Sequence, residues 1–428
     1  MDQIAPREDF LQEDSSSEQR WRALQLNIET FYERLAQAQG KSAIYENGVM
    51  WTQNHMAISA VDPSQIGQQI DRALKWYRSQ RPPGEAICWY LTAAPPANLA
   101  AYLFARGFEP NWQPHWMWCE LRYLAEASTS SSSFTIQIIE ENQRWQVEDL
   151  PNYHKRDGAI FAALARIHPR RVWQLAAFQA GQLVGRCVLN VTEGLRGIGG
   201  LFEMGVVPAA RNQGIGTALA WEACNLARRL GCHHVVLNAT PMGEPVYRRV
   251  GFASMGYGHT WFFRKQMLAV PPSTEDQVMF LEAVGSGNIL VLHKLGERLE
   301  DTFFYQPSPG GMTPLDIAVR CQQPASATWL MEHGVSLDLL SAWDLGWKAQ
   351  VKILLNEQPE QLNRLQGEWH ATPLHIAIMR EDLELVKLLL TVPNDLTIRD
   401  GTFHTTALQW AEHLGQTEML ALLNQHSQ

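Results

Sequence analysis

One stretch of the chain, Val206-Val207-Pro208-Ala209-Ala210-Arg211-Asn212-Gln213-Gly214-Ile215-Gly216-Thr217, gathers residue types able to hold an anion. Its glycines let the backbone turn tightly and bring several N–H groups together. Ile215, Leu219, Cys224, Leu226 and Leu230 then recur at helical spacing, which predicts a helix over 214–230 closed by Gly231. The first amides of a helix have no intrahelical acceptor, and the positive end of its dipole lies beside them, so this junction suits a pyrophosphate. The same residues also fit a plain strand-to-helix turn in which the glycines serve only close packing. Two nucleotide loops are excluded by spacing: there is no G-x-x-x-x-G-K-[ST] run, and no G-x-G-x-x-G followed by an acidic residue. No metal is expected. His233 and His234 have no further ligand at a recognisable spacing, and the six cysteines are scattered without a C-x-x-C pair.

The elements around this junction follow from the apolar pattern. Strands are predicted over 172–178 and 183–191, joined at Ala180-Gly181, then over 201–207, with a buried strand beginning at His233 after the helix. A hairpin followed by strand, helix and strand is the pattern of an α/β mixed sheet with flanking helices. A serine run at 127–133 and the Pro-rich 269–275 read as linkers. They divide the chain into segments at 16–125, 134–266 and 276–428.

The run Arg211-x-x-Gly214-x-Gly216 resembles the acetyl-CoA signature R/Q-x-x-G-x-G/A of the GNAT superfamily of N-acetyltransferases. About thirty residues on, Tyr247-Arg248-Arg249-Val250-Gly251-Phe252 resembles that family's Y-x-x-x-G-F element. The resemblance implies acetyl-CoA as acetyl donor and a primary amine as acceptor. It implies that the backbone of Met204, Gly205 and Val206 pairs with the pantetheine arm, and that the amides of Asn212, Gln213, Gly214, Ile215, Gly216 and Thr217 hold the pyrophosphate near Arg211. Tyr247 would return a proton to the departing thiolate, or else be a packed helix residue. Glu203 is the candidate base, with electrostatic binding of a cationic substrate or simple solvent exposure as its other readings. Strand alternation sets it on the face of Leu201 and Gly205, and a bulge of the kind common in this family would flip that parity. Asn238, at the end of the strand after the helix, is placed to contact cofactor or substrate.

The first segment reads as a worn copy of the second. Gly107-Phe108 and His115 recur at an offset of 144 as Gly251-Phe252 and His259, and Cys88 recurs as Cys232. The copy lacks an R/Q-x-x-G-x-G run, and Leu103 stands where Tyr247 would, so it is not expected to bind acetyl-CoA. Its expected task is to close the substrate cleft or stabilise the fold.

Beyond 276, Thr313-Pro314-Leu315-Asp316-Ile317-Ala318 and Thr372-Pro373-Leu374-His375-Ile376-Ala377 resemble the ankyrin T-P-L-H-x-A motif, with Thr406-Ala407-Leu408-Gln409-Trp410-Ala411 a degenerate third. A divergent repeat is expected near 339–355 and an opening one near 280–295, four or five in all, forming an all-α solenoid. Such a stack presents a concave protein-binding surface, or acts as a stabilising lid. A net charge of −9 among 428 residues argues against nucleic acid as partner. The chain lacks any apolar run of about 18 residues, so a cytoplasmic protein with no membrane partner is expected. A non-catalytic CoA-binding scaffold acting through the repeats is the alternative to an enzyme.

Overall fold

The computed structural model describes residues 10–52, 54–58, 62–80, 86–90, 95–96, 98–124, 133–139, 158–367 and 369–426; most of the serine run lies outside them. Among the described residues no helix is long and apolar enough to cross a membrane. The chain forms two compact units. One comprises Met1–Leu99 with Phe108–Pro271, the other Ala100–Gly107 with Pro272–Gln428.

In the first unit the elements run α1 (Ser17–Ala38), β1 (Ile44–Glu46), β2 (Val49–Trp51), β3 (His55–Ile58), α2 (Ile66–Ser79), β4 (Ala86–Tyr90), α3 (Leu99–Ala105), β5 (Glu109–Pro110) and β6 (His115–Glu120). They continue with β7 (Thr135–Ile139), α4 (Gly158–Ala165), β8 (Val172–Gln179), β9 (Gln182–Val191), β10 (Gly199–Val206), α5 (Ile215–Arg229), β11 (His234–Ala239), α6 (Glu244–Val250), β12 (Ala253–Tyr257) and β13 (His259–Phe263). Of these, α3 belongs by its packing to the second unit.

Two mixed sheets result, one in the order β1-β2-β3-β4-β13-β5 and the other β12-β6-β11-β10-β9-β8-β7. Each contains one parallel pair, β3–β4 and β10–β11, among antiparallel neighbours. The order meander, helix, parallel strand, helix, strand is thus traced twice, and the last strand of each tracing lies in the other's sheet. β6 sits between β11 and β12, while β13 sits between β4 and β5.

The seven-stranded sheet is buried on both faces. Leu219, Ala220, Ala223, Cys224 and Ala227 of α5 pack with Leu189, Leu201, Val235 and Leu237 on one side. On the other, Trp21, Leu24, Ile28, Phe31 and Leu35 of α1 pack with Val188, Val236, Trp116 and Trp118. A capping box between Ser16 and Gln19 starts α1 by satisfying two amides that the helix cannot. Asn27, buried within α1, donates to the carbonyls of Asn190 and Ile198 and so ties helix to sheet.

The second unit is helical: α7 (Glu275–Ser286), α8 (Ile289–Gly296), α9 (Pro314–Arg320), α10 (Pro324–Glu332), α11 (Leu339–Asp344), α12 (Lys348–Glu357), α13 (Pro373–Met379), α14 (Leu383–Leu389), α15 (Ala407–His413) and α16 (Thr417–His426). Thr313, Thr372 and Thr406 each cap a helix through the side-chain oxygen, and proline follows at the first helical position in two of the three. In the divergent pair α11–α12 the cap is Asp338, which accepts from Ser341 N–H. His375 links successive repeats, its Nδ1 2.7 Å from Thr372 Oγ1 and its Nε2–H donating to the Thr405 carbonyl at 3.1 Å. α3 packs on α7. A Cβ on Gly285 would lie 2.6 Å from Ala101 Cβ, so only glycine permits that approach, and the buried Arg106 guanidinium pairs with Glu282.

Candidate active site

The junction of β10 and α5 is built by a chain that reverses direction without a side-chain cap. Gly214, at φ 82° and ψ −5°, is the N-cap residue of α5, and Asn212 is also left-handed at φ 62°. Left-handed residues of this kind let a turn bring backbone amides into an anion-binding concavity. Arg211 N–H donates back to Pro208, and Ala218 N–H to Gly214. Between them, the backbone N–H groups of Asn212 to Thr217 have no protein acceptor among the described residues. No acidic side chain sits in the first turn of α5. Six consecutive donors at the positive end of a helix form a cradle for an anion. The Arg211 guanidinium lies against the strand instead, with Nε donating to the Val206 carbonyl at 3.1 Å.

Beside this cradle the sheet opens. β10 and β11 are in register only from Gly199↔Val235 to Leu201↔Leu237. Beyond that point β10 continues along β9 and β11 continues along β6, so among the described residues Phe202 to Val206 have no strand on the β11 side. Met204, Gly205 and Val206 lie along this open side, Gly205 and Val206 pairing with β9 on the other. Gly216, in the first turn of α5, faces Met204 and Val246. A Cβ there would lie 3.5 Å from Met204 Cε and 3.6 Å from Val246 Cγ1. The residues present therefore fit an extended ligand with a pyrophosphate at one end.

The parity of β10 breaks where the strands part. Pairing with β9 shifts between Phe202 and Gly205, and Glu203 takes φ 51°. Leu201 and Met204, three residues apart, consequently face the same core. Glu203 is buried, and its Oε2 lies 3.6 Å from Nη2 of the equally buried Arg186. Burial holds the Arg186 guanidinium below its usual pKa, and Glu203 opposes that shift. Regular alternation, which would set Glu203 with Leu201 and Gly205 on one face, is interrupted by this bulge.

Tyr247 is buried in α6, edge-on to Phe252 with ring centroids 5.9 Å apart. The α6 helix is pinned at its first turn. His115 Nδ1 lies 3.3 Å from Glu244 Oε2 and His115 Nε2 lies 2.8 Å from Ser254 Oγ. A carboxylate only accepts, so Nδ1–H faces Glu244, and Nε2 accepts a hydrogen bond from the Ser254 hydroxyl. Arg248, with a smaller part from His115, holds the Glu244 carboxyl below the usual range. Asn238 stands opposite Trp116 in the ladder, and its Oδ1 is buried with no hydrogen-bond partner among the described residues. His234 is committed elsewhere: its Nε2–H donates to the Gln12 carbonyl, and burial lowers its pKa.

Arg186 and His115 carry no motif and were not singled out for chemistry by the sequence. The only signal for His115 is its recurrence at the duplication offset as His259. For Arg186 the pattern is silent, because a cation within an apolar strand gives no hint of the bulge that brings Glu203 to it.

Residues 131–252 match the acetyltransferase (GNAT) family, and residues 339–428 match ankyrin repeats in three copies. Glucosamine 6-phosphate N-acetyltransferase of Trypanosoma brucei brucei is 33% identical over 76 residues, which cover 17% of this chain and 52% of that protein. The chain therefore spans about half the length of the curated relative it matches. A GCN5-related N-acetyltransferase from Kribbella flavida is 13% identical with a TM-score of 0.42, covering 56% of this chain and 95% of that one. Its counterpart from Sphaerobacter thermophilus is 16% identical with a TM-score of 0.40, covering 52% and 76% respectively. A GNAT acetyltransferase domain and C-terminal ankyrin repeats are joined in this single polypeptide.

Proposed function

We propose that this chain transfers an acetyl group from acetyl-CoA to a primary amine of a small molecule or protein. The observation that supports this reading most is the row of amides from Asn212 to Thr217, unpaired and set beside the opening between β10 and β11. Acetyl-CoA, when bound, presents a thioester carbonyl to the amine. The amide row would hold its pyrophosphate, and the open edge at Met204 to Val206 its pantetheine arm. Glu203 would take the proton from the incoming ammonium, directly or through water, and Tyr247 would give one to the leaving thiolate. Asn238, with its unpartnered Oδ1, would orient cofactor or acceptor.

Glucosamine 6-phosphate, the acceptor in the relative's name, is the first amine to offer. The repeats would recruit a partner or protein substrate. Six unpaired cysteines, five of them buried, suit a reducing cytoplasmic setting.

The test is calorimetric titration of acetyl-CoA into the full chain and into Gly214→Asp. A Cβ at Gly214 meets nothing within 4 Å, so the space itself tolerates a side chain. The left-handed φ adds some strain, and the new carboxylate repels phosphate. Affinity should fall by roughly 30- to 150-fold, since one charge-assisted contact turned repulsive is worth roughly 2–3 kcal/mol. A folded variant that binds as the parent does would overturn the cofactor site. In that case the scaffold reading, with the repeats as the working surface, takes its place.

A further inference from the structure

The helix that carries Tyr247 is seven residues long, too short to hold its own geometry in water. It begins at Gly243 without a side-chain cap, and only Tyr247 and Val250 within it are buried. Its first turn is instead gripped from below by a residue of the N-terminal half. His115 opens β6, in register with Ala239 of β11 on one side and Tyr257 of β12 on the other. From there the imidazole reaches Glu244 and Ser254 and stacks on Tyr257, with ring centroids 4.5 Å apart and planes at 17°. Two elements, α6 and β12, thus meet on one ring that strand exchange brings in.

We propose that His115 is a positioning residue for acetyl transfer: held in the sheet beside Ser254, it binds Glu244 and so fixes the helix that carries Tyr247. The role rests on the acetyltransferase reading and on Tyr247 as its acid. It also gives the N-terminal half, which lacks the R/Q-x-x-G-x-G run, a part in holding the site of the other half.

The two nitrogens allow a discriminating test in the full chain. An asparagine amide reaches where Nδ1 was and keeps the Glu244 contact, while a glutamine amide reaches where Nε2 was and keeps only Ser254. The readouts are acetyl-CoA affinity by titration, acetyl-CoA-dependent thiol release with an amine acceptor, and the fluorine resonance of fluorotyrosine at position 247. That resonance is assigned by its loss in Tyr247→Phe. His115→Gln and His115→Ala should lower kcat about tenfold or more with acetyl-CoA affinity unchanged, and should shift or broaden the Tyr247 signal. His115→Asn should recover most of kcat and return the signal.

Equal losses in the Asn and Gln variants with the Tyr247 signal unmoved would overturn the role and leave His115 as sheet packing. If His115→Ala fails to fold, Glu244→Ala carries the same test from the helix side. A parent chain that neither binds acetyl-CoA nor releases thiol would instead sink the acetyltransferase reading, and this role with it. Failure of the clamp alone shows as an active parent with indistinguishable variants.

Discussion

Glu203 and Arg186 put two opposite charges in the interior, and the backbone is bent at Glu203. A non-glycine residue at positive φ costs on the order of 1–3 kcal/mol, and here pairing with β9 on both sides of the bulge holds it. Removing one member of a buried pair costs more than the pair is worth, because the remaining charge keeps its desolvation penalty. Glu203→Gln should therefore destabilise the chain by roughly 3–5 kcal/mol, read as a lower denaturant midpoint. Arg186→Met together with Glu203→Leu should regain most of that loss, since an apolar pair of similar volume needs no desolvation. Activity should not follow stability. If Glu203 accepts the amine proton, the refolded double variant should remain about 10²- to 10⁴-fold slower. A stable double variant with full turnover would take Glu203 out of the reaction.

Each sheet is completed by a strand from the other tracing, and this makes the halves interdependent. Without β6, the edges of β11 and β12 that it pairs would expose ladder groups along apolar strands, a template for aggregation. A fragment of residues 134–266 alone should not unfold cooperatively on heating, whereas residues 10–271, which contain β6, should do so more nearly; circular dichroism distinguishes them. A sharp transition in the short fragment would show that the sheet closes without its borrowed strand. Much of this architecture was legible beforehand. The turn at Ala180-Gly181, the helix beginning at the glycine pair and the offset of 144 all follow from local residue types. The exchange did not, because Trp116-Met117-Trp118 and Trp261-Phe262-Phe263 alternate alike, and a strand pattern names a buried face rather than a neighbour. The bulge at Glu203 was anticipated only through the family resemblance. The repeat at α11–α12 was legible only from the 59-residue gap between Thr313 and Thr372, because Asp338 caps it where its siblings use threonine, as good a cap chemically but outside the motif.

The second compact unit is not a simple appendage at the end of the chain. The polypeptide enters it at Ala100, leaves at Gly107 and returns at Pro272, so α3 lies in a unit whose other helices come from far along the sequence. Repeat stacks need terminal elements to cover their apolar ends, and α3 covers α7 at the first of these ends. The glycine at 285 allows the close approach to Ala101, and Arg106 finds its carboxylate at Glu282. Cutting the chain after Pro271 therefore strands an eight-residue segment whose partners have gone, and leaves the Arg106 guanidinium without Glu282. Loss of a buried ion-pair partner alone costs about 3–5 kcal/mol, so the melting temperature of the fragment should fall by many degrees relative to the full chain. The amide row at Asn212 to Thr217 lies in the other unit and uses none of these residues. At temperatures where the fragment stays folded, acetyl-CoA should still bind with near-parental affinity. A fragment as stable as the full chain would show that the repeats lend nothing to the fold and favour recruitment of a partner as their sole task. A destabilised fragment that still binds acetyl-CoA would establish that the repeats brace the chain, whatever else their surface recognises.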